Sequence, residues 1–321
     1  MEAALGWPPC FLRVSLHLRI VTSNLKKIPI RLHSSRFLAN FVGMKKYILS
    51  LAIAIASWLP IVAQSLDSAR FEERSLSWGG GYTNMVDTYL SPLRYCGAHV
   101  ALLSECFSQT SLPGRRWFAQ SLFALHGDYT TPASGSGLTV GGMADYSYTY
   151  YYSMPITGQA LSLYVGPQAQ LRIGGIYNLR NSNNPAQLKL GVNLAASAMA
   201  KYAFTLWSIP MNVRLQADMP LLGTAFGPDY GQSYYEIFYL GQSEGCVYTT
   251  SLHNNLSLRT HLSYALQLRP CMLRVTLAND FYQWTLGNQH YRMFTHTLML
   301  GVVKNLYHVV RDEEASQYIP Y

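Results

Sequence analysis

His261-Leu262-Ser263 sets an imidazole and a hydroxyl two residues apart in a stretch of alternating polarity. Both side chains therefore leave an extended backbone on one face. A histidine so placed can take the proton of a serine for acyl transfer, provided a third group orients its ring. Asp280, with Asn279 beside it, is the candidate for that third group. The same spacing also suits a plain structural pair, and a structural pair is the expectation. Catalysis by His261, Ser263 and Asp280 is the alternative.

A second set of residues is charged. Arg214, Asp218, Arg259, Arg274 and Asp280 fall on the polar parity of three neighbouring alternating segments. Opposite charges facing one another would either set a transverse field in a narrow pore or fill a closed interior with ion pairs. The filled interior is the favoured expectation. A third set is aromatic: Phe226, Tyr230, Tyr234, Tyr235 and Phe238 surround Glu236 in a long connection. Rings with polar tips suit glycan or lipid contacts, or packing over an opening. Glu236 is the nearest acid there to partner Arg214 or Arg259. His253-Asn254-Asn255, His290 and His296 lack recurring ligand spacing and an acidic cluster, so no metal and no cofactor is expected. No phosphate loop, zincin motif or nucleophile elbow occurs. Gly79-Gly80-Gly81 reads as bending or close packing.

The elements that must hold these groups are strands. In 159–173, Leu161, Leu163, Val165, Ala169, Leu171 and Ile173 share one parity, against Ser162, Tyr164, Gln168, Gln170 and Arg172. Residues 187–194 and 209–218 repeat the pattern, and 254–268 follows it with Leu and Tyr on even positions. Each such segment has one greasy and one wet face. Strands are expected near 74–84, 98–108, 115–126, 138–152, 159–177, 187–200, 206–218, 255–268, 271–284 and 292–306. Short links near 109–114, 153–158, 201–205 and 269–270 alternate with longer ones at 85–97, 127–137, 178–186, 219–254 and 285–291. Short turns on one side and long loops on the other, with charges on the inner parity, indicate a transmembrane antiparallel β-barrel of 10–12 strands. The upper count applies if 234–241 and 246–253 form a wall hairpin. Tyr146, Tyr148, Tyr150 and Tyr152 share a face near a strand end, as an interfacial girdle would.

The charge balance sharpens this reading. The whole chain carries +8, yet residues 1–46 hold eight Lys/Arg against Glu2 alone. The remainder is close to neutral, so no nucleic-acid partner is implied. Met44-Lys45-Lys46, the apolar run from Ile48 to Leu59 and the Ala63-Gln64 junction have the form of a cleaved signal peptide at 44–63. Residues 1–43 are then an upstream extension from a misassigned start, 64–306 the barrel with its long loop 219–254, and 307–321 a tail. Cys96, Cys106, Cys246 and Cys271 remain after the leader, and spacing does not choose among their pairings.

Pro220-Leu-Leu-Gly223 and Phe226-Gly-Pro-Asp-Tyr-Gly-Gln-Ser-Tyr-Tyr-Glu236 resemble a segment of an uncharacterised outer-membrane β-barrel family common in Bacteroidetes, a domain of unknown function. The resemblance implies fold and outer-membrane location over roughly 70–321, and no activity. His261-x-Ser263 is also similar to the outer-membrane phospholipase and lipid A deacylase families, which act on lipid at a barrel rim, whereas here its parity points inward. The expectation is a non-enzymatic outer-membrane barrel, either a narrow pore or a structural or surface-binding protein. Its partners would be outer-membrane lipid and a small solute, glycan or surface ligand. A lipid esterase or deacylase using His261 and Ser263 is the alternative.

Overall fold

A computed structural model describes residues 71–307, apart from 111, 113–115, 157–159, 183, 208, 243 and 269–270. The signal and extension expected at 1–63, and the tail beyond 307, lie outside the described residues.

The described chain forms β1 (Phe71–Asp87), β2 (Ser91–Gln109), β3 (Trp117–Pro132), β4 (Thr139–Pro155), β5 (Leu161–Asn178), β6 (Ala186–Leu206) and β7 (Ile209–Phe226). A short helix α1 (Tyr234–Phe238) and β8 (Val247–Ser251) follow, then β9 (Leu258–Leu268), β10 (Cys271–Leu286) and β11 (Gln289–Tyr307). Every pairing is antiparallel between neighbours, and β1 pairs with β11 from Phe71↔Tyr307 to Asp87↔Tyr291, which closes the wall. The lower part of β7 pairs with β9 and its upper part with β8, so those two share one place in a ten-strand barrel. The β1–β11 and β6–β7 pairings close the ten-strand wall, as hydrocarbon surroundings require, and β8 pairs with β7 alone.

The strands run further than the alternation suggested. Expected loops at 85–97 and 285–291 are tight turns. Gly287 and Asn288, with φ of 55° and 57°, make the two-residue turn between β10 and β11, a geometry that needs positive φ at both positions. Residues 219–226 belong to β7, so the long connection spans 227–257. Within it, 234–241 is not a wall strand, because Ser233 and Glu236 form a capping box that starts α1 instead.

Alternation decides what faces where. Leu76, Trp78, Val100, Leu171, Ile173, Val192, Leu277, Leu298 and Leu300 stand exposed on the outside. Glu73, Glu105, Asp145, Arg172, Arg214, Asp218, Arg259 and Arg274 are buried on the inside. Among the described residues, the charged side chains on the outer wall lie at its two ends: Glu72, Arg74 and Lys304 below, Arg94 and Arg292 above. On β11, Arg292 and Lys304 are about 12 residues apart, or about 40 Å at ~3.3 Å per residue. Tilted by ~45°, that becomes about 28 Å, close to the ~30 Å hydrocarbon core. Trp117, Tyr150 and Tyr152 cluster near the lower end, with Phe281 and Phe294 in contact near the upper. Tyr146 and Tyr148 share the outer face but sit higher up the wall than the girdle role expected of them. This is the surface of a membrane-spanning barrel.

Gly79 and Gly81 lie on β1 at the closing seam. A Cβ on either would collide with a carbonyl oxygen of β11, that of Leu298 or of His296. The seam therefore needs glycine where the two strands close on each other. Replacing Gly81 with valine should abolish the fast-migrating band of unboiled gel samples while leaving the boiled band in place; a normal fast band would show that the seam accepts a side chain.

Candidate functional site

The inward face of the barrel concentrates the chemistry, and its charges meet across the bore. At the lower end, Glu105 on β2 accepts from both terminal nitrogens of Arg214 on β7, at 2.6 and 2.8 Å. It also accepts from Arg274 on β10 at 2.8 Å and from Gln120 on β3 at 2.5 Å. Glu73 on β1 bonds Arg274 and, from β6, Lys201 at 3.2 Å. Counting round the ten-strand wall, β2 and β7 are opposite one another, as are β1 and β6. These contacts therefore span the full bore.

At the middle levels the ion pairs join neighbouring strands instead, and other polar contacts cross the bore. Asp218 pairs with Arg259 at 2.8 Å, and Arg259 reaches Ser147 on β4 at 3.0 Å. Asp218 also accepts from Ser197 at 2.5 Å and from Gln216, while Gln216 and Gln120 bond each other from well-separated strands. Asp145 takes a two-nitrogen contact from Arg172 at 2.7 and 3.0 Å, and His126 approaches its other side at 3.3 Å. The Arg172 guanidinium lies 3.4 Å over the Tyr282 ring, a cation–π contact to a distant strand. His99 and Asp128 pair at 2.8 Å. Near the upper end, Lys189 on β6 meets Asp87 on β1 at 2.8 Å and sits 3.7 Å over Tyr291. Ion pairs therefore occur at the lower, middle and upper levels of the bore.

Of the residues singled out by sequence, Arg214, Asp218, Arg259 and Arg274 are buried members of these networks. Asp218 and Arg259 pair with each other within the expected set, whereas the other two arginines find partners outside it. Arg214 and Arg274 are neutralised by Glu105 and Glu73, and Glu236 reaches neither Arg214 nor Arg259. Glu236 instead caps α1, accepting from the Ser233 amide at 2.7 Å and its hydroxyl at 2.9 Å. Those two donors hold its carboxylate below the usual range. His261, Ser263 and Asp280 are all buried inside the wall. The Ser263 hydroxyl is engaged with Thr276 at 2.9 Å, whereas His261 Nδ1 and Asp280 Oδ1 make no hydrogen bond. Among the described residues no hydrogen bond joins His261 to Ser263, and neither faces lipid. The histidines considered for metal are dispersed: His253 bonds Ser251, His290 bonds Thr285, and His296 bonds Asn279 on the outer wall. Asn255 is buried against Asn193 and Ser257. Cys106 and Cys246 are free thiols.

The segment after β7 covers the upper mouth. Tyr234 accepts from the Leu188 amide at 2.7 Å, packs edge-on against Tyr89 and stacks on Phe238. Phe226 touches both Tyr234 and Phe238. Tyr89, in the turn 88–90, donates to the Gln232 carbonyl at 3.2 Å, and Gln289 donates to the Asp229 carbonyl at 3.0 Å. Burial, with Asp87 and Glu236 nearby, pushes the Tyr89 phenol up to about 12. Ile237 and Cys246 are buried beneath the segment, while Tyr230, Tyr235, Phe238 and Tyr239 are exposed on top.

Sequence reasoning missed Glu73, Asp87, Glu105 and Asp145 as partners. Glu73 and Asp87 lie at strand ends that were assigned to connections. Asp145 sits on the inner parity of its strand, where parity could have found it, whereas Glu105 lies in a strand whose alternation is weak. Glu105 is the strongest test of the network, because it serves two arginines. Replacing it with glutamine leaves both arginines to share Glu73, which Arg274 already bonds and Arg214 approaches only at 4.0 Å, and breaking a buried pair costs roughly 3–5 kcal/mol. The urea midpoint of the refolded barrel should fall markedly, with the unboiled gel band retained at low urea; an unchanged midpoint would mean that the arginines are held by other groups.

No curated protein matches the chain by sequence. Among solved structures, the translocator domain of the autotransporter NalP from Neisseria meningitidis is 10% identical, covering 83% of this chain and 96% of its own, with a TM-score of 0.36. The outer membrane protease OmpT from Escherichia coli is 6% identical, covering 75% and 100%, with a TM-score of 0.40. An outer membrane channel from Pseudomonas putida F1 is 10% identical, covering 77% and 99%, with a TM-score of 0.34. Likeness at this level speaks to the barrel fold alone. The family model described as Protein of unknown function (DUF3316) matches residues 44–313, and the chain belongs to that family.

Proposed function

We propose that this chain is a closed outer-membrane barrel that serves as a structural scaffold and surface-binding platform, and not as an open pore. The observation that carries the reading is the set of contacts between opposite walls at both ends of the bore: Arg214 to Glu105, Lys201 to Glu73, and Lys189 to Asp87. A solute would have to break these pairs in sequence, each at the cost of an uncompensated charge. The exposed rings of Tyr230, Tyr235, Phe238 and Tyr239 then form the surface on offer above the mouth, with Tyr235 and Tyr239 stacked at 4.7 Å. Flat rings of this kind suit glycan or apolar surface partners.

An outer-membrane location is supported by the apolar outer wall with charges only at its ends. The signal at 44–63 supports it too, and the family match begins at residue 44, the first residue of that signal. In this reading the mature chain starts near Gln64. N-terminal sequencing of protein extracted from outer membranes should return that start, and peptides from 1–43 in the same material would contradict it.

The bore makes a separate prediction. In planar bilayers the refolded protein should give no unitary conductance. Deleting 229–245 should leave it silent, because Lys189 and Asp87 still meet below the removed lid and 224–226 remain in the wall. Stepwise currents from the intact protein would overturn the closed-barrel reading. Currents appearing only after the deletion would assign the seal to the lid.

A further inference from the structure

The upper rim carries an unpaired pair of cations on the lipid-facing side. Arg94 on β2 and Arg292 on β11 are both exposed and flank Val86 of β1, which pairs with Arg292. The register between β1 and β2 shifts between Met85 and Asp87, and Pro92, Leu93 and Arg94 are all exposed at this point. A bulge of this kind re-aims side chains at a barrel rim. Two strand spacings of ~4.8 Å put the two arginine backbones about 10 Å apart. Among the described residues neither arginine has an ion-pair partner; the nearby carboxylate, Asp87, faces inward and is taken by Lys189. The two arginines line an open groove with His290, Asn84, Gln283 and Phe294.

The lower rim differs. There Arg74 is bonded to Glu72, which leaves Lys304 as the one cation of the lower outer wall without an ion pair among the described residues. Below the upper groove the wall runs through Phe294 and Phe281, past the His296–Asn279 pair, to the apolar Leu298, Leu277 and Leu300. Fixed positive charge therefore sits where the hydrocarbon ends, with amide donors beside it and an aromatic floor beneath.

We propose that this groove binds the phosphorylated headgroup of an outer-leaflet glycolipid, whose acyl chains lie along the apolar wall of β10, β11 and β1. The inference rests on the outer-membrane reading above, which puts the N-terminal end of β1 on the periplasmic side and this rim in the outer leaflet. Two guanidinium groups present forked donors that match phosphate oxygens. Asn84 and Gln283 have amides to offer to headgroup hydroxyls. A lipid is favoured over a free anion because the groove opens onto the membrane-facing wall, and only a lipid would also cover the apolar surface below.

The test is native mass spectrometry of the full chain, purified from outer membranes in nonionic detergent and mixed with diphosphorylated lipid A, with its dephosphorylated form, or with inorganic phosphate. The wild type should retain the diphosphorylated lipid and neither of the other two. The double variant Arg94→Gln/Arg292→Gln should lose that adduct at least about tenfold, as expected when charge-assisted bonds are removed. The opposite-rim variant Arg74→Gln/Lys304→Gln should keep it. Equal retention by the Arg94/Arg292 variant, or equal binding of the dephosphorylated lipid, would overturn the proposal. So would an adduct with inorganic phosphate alone, which would mark a free-anion site. Folding of each variant is checked by its unboiled gel band. A chain that fractionates with the outer membrane yet shows no adduct refutes the lipid site and leaves the location standing, whereas recovery away from that membrane refutes both.

Discussion

A backbone in hydrocarbon has no water to bond to, and that constraint sets the rest of this molecule. The sheet must close, so β1 finds β11 over the whole length of both strands. Closing ten strands leaves a narrow interior, and inward side chains occupy it. The outer wall must meet lipid, which commits one parity to apolar residues and sends the polar and charged ones to the other. Filling the bore with charges is then a consequence of the exterior, provided each charge finds an opposite. Here the pairs at the two ends of the bore reach to the far wall, as Arg214 to Glu105 and Lys189 to Asp87, while those between them, as Asp218 to Arg259 and Asp145 to Arg172, join neighbouring strands.

That arrangement explains where sequence reasoning succeeded. Alternation needs only a residue and its successors, so the strands through Leu171 and Arg172, Val192 and Asn193, or Leu262 and Ser263 were legible, and with them the inward side of Arg214, Asp218, Arg259 and Arg274. It also explains the segments that read poorly. The stretches 98–108 and 292–306 alternate weakly because their inner face in that sector is apolar: Ala101 and Leu103 pack with Leu122, Ala124, Ala278 and Met299. Both parities are then greasy, and the period disappears. Strand ends were lost for a different reason. Above the hydrocarbon the outer wall no longer has to be apolar, so Asn84, Arg94 and Arg292 interrupt the pattern although the ladder continues. Tight turns such as Gly287-Asn288 were consequently read as loops.

Partner choice was beyond the sequence because it is set by position around a closed ring. Arg274 and Glu73 are 201 residues apart, and Arg214 and Glu105 are 109 apart. No local window relates such residues. The pairing follows only once strand number and register fix which walls face each other. Glu236 shows the converse: a local rule, the capping box with Ser233, claimed it before any lumen arginine could.

The same geometry bears on how the fold is specified. Buried ion pairs add little net stability over apolar packing, since desolvation offsets most of their attraction. Their effect here is selective. An open or misregistered sheet keeps its outer parity intact and loses little in lipid contact, but it cannot bring β2 to β7 or β6 to β1. In such a state Glu105, Arg214, Lys189 and Asp87 would each be left without an opposite charge inside a low-dielectric wall. The cross-bore pairs therefore discriminate against wrong closures more strongly than they stabilise the right one. Because both ends of the bore carry such a pair, a shift at either end is penalised. A sealed interior and a unique register are on this argument one property, and the free arginines of the upper rim stand out because they are outside that system of mutual neutralisation.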